Sequence, residues 1–170
     1  MNREDYLRMR RCYQPQHVAA VIVAESPPTS GKYFYDPAGK PSEPLFSALL
    51  RQIGVERIGT KDAGLLLFQQ AGWVLVDATY EPVNDGRSEA ARDRAIERGY
   101  PQLVADLDSL TPNRSAPLVL IKANVCRILE PKLIADRFTV LNRGRVIYFP
   151  SNGRQLDFAR QFRDVIRDLR

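Results

Sequence analysis

An unbroken apolar run, Val-Ala-Ala-Val-Ile-Val-Ala at residues 18–24, stops abruptly at Glu25-Ser26-Pro27-Pro28-Thr29-Ser30-Gly31-Lys32-Tyr33-Phe34-Tyr35. A short Val- and Ile-rich run without polar alternation fits a strand covered on both faces, as in a parallel sheet flanked by helices. Ligands of such sheets sit beyond the carboxyl ends of the strands. Glu25 is therefore expected at the ligand end, beside a loop that Pro27 and Pro28 stiffen and in which Gly31 lets backbone come close. The aromatic rings that follow offer a flat ligand a stacking surface, and a nucleobase suits both the ring and the carboxylate.

Three further apolar runs, at 73–76, 117–121 and 145–149, resemble the first. Between them the chain leaves room for helices at 43–53, 61–71, 87–110, 125–135 and 155–169. The last is marked by Leu156, Phe158, Ala159, Phe162, Val165, Ile166 and Leu169 at helical spacing. The third is expected to break at Gly99-Tyr100-Pro101, because proline lacks a donor and disfavours helix before it. Strands alternating with helices predict one α/β domain over residues 1–170, three-layered α/β/α with a central four-stranded, mainly parallel sheet. At 170 residues and 44% hydrophobic composition, the chain suffices for one core.

The 25 Lys and Arg outnumber the 20 Asp and Glu, a net charge of +5 that suits a polyanionic partner without requiring one. Cys12 and Cys126 are the only cysteines, too few and too far apart for a zinc site or a disulfide framework. No apolar stretch approaches the roughly 20 residues of a spanning helix, and the polar start Met1-Asn-Arg-Glu-Asp5 is unlike a signal peptide. We therefore expect a cytoplasmic monomer that needs no membrane, metal or cofactor. Gly31-Lys32 fails as a phosphate loop, since Tyr33 follows it and Ser26 stands where the first glycine belongs. Glu81, Asp85 and Glu89 read as a solvated turn. His17, about seven residues at roughly 3.3 Å each ahead of the ligand edge, reads as structural. The arginines 160, 163, 167 and 170 alternate with aspartates 157, 164 and 168, which describes a solvated face.

Each apolar run delivers polar groups at its carboxyl end: Glu25-Ser26, Asp77-Ala78-Thr79-Tyr80, Lys122-Ala123-Asn124, and Phe149-Pro150-Ser151-Asn152-Gly153-Arg154. With these motifs the chain resembles the uracil-DNA glycosylase superfamily, most closely its bacterial and archaeal branches with a Gly-Glu-Ala-Pro-Gly first motif. Ala24-Glu25-Ser26-Pro27-Pro28 is similar to that motif, and Phe34 falls where the family stacks an aromatic ring on the extruded base. Asp77 stands where the second strand ends in a base-reading Asn, and Phe149-Pro150-Ser151-Asn152 is similar to the closing His-Pro-Ser motif.

The resemblance implies a divergent DNA glycosylase of that fold, a hydrolase acting on the N-glycosidic bond of a damaged or deaminated base in DNA, single- or double-stranded. Glu25 would then position water and stabilise the sugar cation. Ser26, Phe34, Asp77 and Phe149 would surround the base, with Tyr33 or Tyr35 as rival stackers. Pro27, Pro28, Lys122, Pro150, Ser151, Asn152, Gly153 and Arg154 would face DNA, with Arg143 and Arg145 adding charge. Two departures stand out. Phe149 cannot donate the hydrogen bond that the family's histidine gives to the leaving base, a loss worth on the order of a hundredfold in rate. An ionised Asp77 offers acceptors only, so it would repel a uracil carbonyl and favour an amino-bearing base. A non-catalytic nucleic-acid or nucleotide-binding module, and a nucleoside or nucleotide hydrolase, are the competing expectations.

Overall fold

A computed structural model describes residues 1–83, 86–151 and 153–167. Three parallel strands, β1 (Ala20–Ala24), β2 (Trp73–Asp77) and β3 (Leu118–Leu120), form a sheet in the order β2-β1-β3. Six α-helices accompany them among the described residues: α1 (Arg3–Cys12), α2 (Pro44–Gln52), α3 (Lys61–Gln70), α4 (Glu89–Leu110), α5 (Ala123–Ala135) and α6 (Gln155–Ile166).

Every residue of the three strands is buried, which is why their sequences lack polar alternation. Ala20, Ile22 and Ala24 of β1 point into one core with Trp73 and Leu75 of β2 and the inner faces of α2, α3 and α6. Val21 and Val23 point into a second core with Val74 and Val76 of β2 and the inner faces of α4 and α5. The chain is thus α/β with helices packed on both faces of a parallel sheet. The first core is aromatic: the Phe34 ring meets Tyr35, Phe46 and Phe68 edge-on at centroid separations of 5.0, 5.5 and 5.2 Å.

The expected fourth strand at 145–149 does not form, so the sheet has three strands and not four. The outer edge of β3 is occupied by a side chain instead. Asn142 Oδ1 accepts from Leu120 N at 2.8 Å, and Asn142 Nδ2 donates to Leu120 O at 3.0 Å. Leu118 makes one isolated bridge to Val140, and the chain then turns through Arg143 (φ 49°) and Gly144 (φ 79°) before pairing can propagate. The opposite edge is closed in the same manner. The Tyr35 hydroxyl accepts from Leu75 N at 2.7 Å and donates to Leu75 O at 3.2 Å, capping the outward groups of β2. Leu75 and Leu120 thus have their outward backbone groups taken by side chains, which blunts both edges as templates for another strand.

One helical expectation changes, and one helix forms where none was expected. α4 runs unbroken through Pro101, held by Ile96, Leu103 and Leu107 in the second core. Gly99 serves close packing there, since a Cβ would stand 2.7 Å from Ala78 O. The polar N-terminus forms α1, started by a reciprocal cap in which Asn2 Oδ1 accepts from Asp5 N and Asp5 Oδ2 accepts from Asn2 N, both at 3.0 Å.

Candidate functional site

The parallel register puts the three strand ends level: Ala24 pairs with Asp77, and Val23 with Leu120. The order β2-β1-β3 reverses direction between β1 and β3, which is where ligands of open α/β sheets settle. A cavity of about 470 Å³ opens at this edge, within the range of small-molecule sites. Glu25, Ser26, Pro27, Pro28, Phe34, Asp77, Lys122, Phe149 and Ser151 all line it.

Glu25 is 5% exposed, and donors hold both its oxygens. Asn124 Nδ2 donates to Oε1 at 2.6 Å, and the Lys122 ammonium contacts Oε2. Lys122 has φ 89°, a backbone region that side-chain-bearing residues avoid and that recurs at functional sites. Its amide donates to Ile147 O at 2.7 Å, which fixes the bend that brings the ammonium to Glu25.

The other acid, Asp77, is 3% exposed, and its Oδ2 has no hydrogen-bond partner. Burial pushes its carboxyl up to about 7, while the Arg10 guanidinium and the nearby Tyr33 phenol pull it down and Asp106 pushes it up again. Tyr33 stands close enough to act electrostatically without completing a hydrogen bond, since its Oη is also buried and unpartnered. Behind Asp77, Arg10 donates to Tyr80 Oη at 2.9 Å and lies 3.5 Å from Asp106 Oδ2; Arg3 donates to Asp106 Oδ1 at 2.7 Å.

The aromatic loop is pinned to this framework. Lys61, 1% exposed, donates from Nζ to Tyr33 O and to Glu43 Oε2, both at 2.7 Å. Phe34 lines the cavity while packed, 7% exposed, among the rings of the first core. Gly31 has φ +74° with nothing within 4 Å of a Cβ, so it supplies a turn and not the close approach expected of it.

No protein-family model, curated protein or solved structure matches this chain.

Some expected site residues lie elsewhere. Tyr35 is wholly buried, does not line the cavity and is committed to the β2 edge, so stacking does not fall to it. Pro150 is buried outside the cavity wall; Gly153 and Arg154 are exposed beyond it, with the Arg154 guanidinium 4.6 Å from the Tyr148 ring centroid. Asn152 and Asp85 lie outside the described residues. His17 is exposed. Asn124, Arg10, Tyr33, Glu43 and Lys61 join the site or its support. Of these, Asn124 had a sequence signal as a polar residue just past the third apolar run, and Tyr33 one as a rival stacker.

A larger depression, about 790 Å³, lies between α2 and α6 and is lined by Arg51, Arg160, Arg163 and Arg167 with Asp164. Arg160 pairs with Asp157 and Arg167 with Asp164, as a solvated mixed-charge face requires, while Asp168 and Arg170 lie outside the described residues. Among the described residues no helix is long and apolar enough to cross a membrane, and no group of three or more His, Cys, Asp or Glu side chains is arranged to hold a metal ion.

Proposed function

We propose that this chain is a divergent glycosylase of the uracil-DNA glycosylase type, which draws a damaged or deaminated base out of DNA and hydrolyses its N-glycosidic bond. The observation that carries this reading is the convergence of Glu25, Phe34, Asp77, Lys122, Phe149 and Ser151 on one cavity at the carboxyl edge of the sheet. An enzyme acting on a base must take it out of the stack and hold it by its faces and its edge. Phe34, braced by three other rings, supplies a face, and Asp77 with Ser26 supplies polar edge contacts.

In this reading Glu25 stabilises the oxocarbenium-like sugar and holds the attacking water. The water oxygen bonds to C1′ as the C1′–N bond breaks, the bonding pair leaves with the base, and the base ends protonated. Lys122 fixes the Glu25 carboxylate and adds positive charge near the phosphates. Pro27, Pro28 and the late loop around Ser151 and Arg154 meet the strand. With Phe149 in place of a donor, Ser26 Oγ, buried and unpartnered, is the group available to a base carbonyl.

A second reading, a non-catalytic nucleic-acid-binding module, is favoured by one observation: Lys122 and Asn124 already engage both Glu25 oxygens, so a water must share an oxygen with one of them. The two separate on single- and double-stranded oligonucleotides bearing uracil, hypoxanthine, xanthine or a mismatch, incubated with protein and then cleaved with alkali. Strand breaks at the altered base, abolished by Glu25→Gln, are the expected result. Salt-sensitive binding without abasic product would leave only the binding module. Hydrolysis of free nucleosides alone would reassign the site to a nucleoside hydrolase.

A further inference from the structure

Three of the residues lining the cavity carry buried polar atoms without hydrogen-bond partners: Ser26 Oγ, Tyr33 Oη and Asp77 Oδ2. Among the described residues eight such atoms occur, and these three are set apart by sharing one cavity, where a ligand can supply the missing partners. Asp77 differs from the other two because it becomes charged on losing its proton.

The groups around Asp77 define the state it can hold. Arg10 and Tyr6 face it from α1, Tyr33 and Tyr35 from the loop after β1, Tyr80 from the segment after β2, and Asp106 from α4. Glu25 and Lys122 line the same cavity. Arg10 is shared among Asp77, Tyr80 and Asp106, and Lys122 is engaged with Glu25. No protein donor completes a hydrogen bond to Oδ2. A carboxylate there has little solvation, only the incompletely aligned Tyr33 phenol as a donor, and a cation shared with two other residues. The position of the carboxyl near 7 is the expression of that geometry.

We propose that Asp77 engages its ligand as the neutral acid, donating from one oxygen and accepting at the other, and that it thereby reads a ring edge on which a carbonyl stands beside an N–H. Ionisation of Asp77 switches this recognition off. The inference deepens the base-excision reading and rests on it for the ligand being a base in DNA. A neutral carboxyl offers one O–H donor and one carbonyl acceptor, the same pair that an asparagine amide would present. Uracil and hypoxanthine carry the matching edge. The aversion to carbonyls expected from the sequence belongs to the ionised form, and burial reverses it. Taken in the opposite order, the pair would fit the amino group and ring nitrogen of cytosine, so cytosine must be tested alongside.

The test compares wild type with Asp77→Asn on single-stranded oligonucleotides holding one uracil, one hypoxanthine or only ordinary bases including cytosine, between pH 5.5 and 8.5. Excision is read by alkaline cleavage, and binding with a strand carrying 2′-fluoro-2′-deoxyuridine, which resists hydrolysis. Wild-type affinity for the modified strand, relative to the ordinary one, should fall about tenfold per pH unit above 7, as loss of one required proton demands. Asp77→Asn should flatten that profile, whatever its absolute affinity. Arg10→Gln, which removes the cation that lowers the Asp77 value, should move the wild-type midpoint to higher pH. Parallel profiles in wild type and Asp77→Asn, or preference for the cytosine strand, would overturn the inference while leaving excision standing. Binding that follows the expected profile without any abasic product would support the inference and remove the hydrolytic reading alone. Absence of wild-type binding at every pH would overturn both.

Discussion

Glu25 and Asp77 end adjacent strands, are almost equally hidden from solvent and line the same cavity, yet their surroundings are opposite. Glu25 sits between an ammonium and an amide, with both oxygens engaged. Asp77 has an orphaned oxygen and shares Arg10 with two other residues. Burial alone does not decide what a carboxyl does; the donors buried with it do. In one cavity, an acid with its charge matched suits a developing cation, and an acid without that match suits a neutral hydrogen-bonding edge.

Removing the Asp77 charge breaks the contrast most strongly. The folded protein holds this proton more tightly than the unfolded chain, so rising pH costs stability across the window from 3.8 to about 7. The full cost is on the order of 4 kcal/mol as an upper bound. In melting curves at pH 5 and pH 8, Asp77→Asn should gain on wild type by several degrees at the higher pH. A constant difference would mean that Asp77 is already ionised at pH 5. Glu25→Gln comes next: excision should fall about a hundredfold or more, with DNA binding retained. An unchanged rate would remove Glu25 from the chemistry.

Smaller effects sharpen the comparison. Tyr35→Phe strands the outward N–H and C=O of Leu75, so it should cost about 1–3 kcal/mol in denaturant unfolding while leaving the pH profile of ligand binding alone. A shifted profile would place Tyr35 in the base site after all. Lys122→Gln should lower the salt dependence of DNA affinity by about one unit of log–log slope, and a slope equal to wild type would confine Lys122 to holding Glu25.

The strands were legible because each is covered on both faces and so reads as an uninterrupted apolar run. That same signal misleads at 145–149, where Asn142 has taken the β3 edge that a fourth strand would need. No periodicity encodes a side chain standing in for a strand. α1 left its mark in Asn2 and Asp5, three residues apart at a helix start, but its polar surface resembles an unstructured leader. Glu25, Phe34 and Asp77 could be found because a parallel sheet aims its strand ends at a common crevice. Arg10, Lys61 and Tyr33 could not be assigned their roles in that way. What they do depends on contacts between residues 18 and more positions apart, such as Lys61 with Glu43 and Tyr33 and Arg10 with Tyr80.

That Asp77 keeps its proton far above the ordinary aspartate range is tested most directly by carboxyl carbon NMR of the ligand-free protein titrated from pH 3 to 9, with Asp77→Asn giving the assignment. One aspartate resonance should show a midpoint near 7 and disappear in the variant. A resonance lost in the variant but titrating near 3.8 would contradict it, because Asp77 would then be charged wherever the cavity is at work.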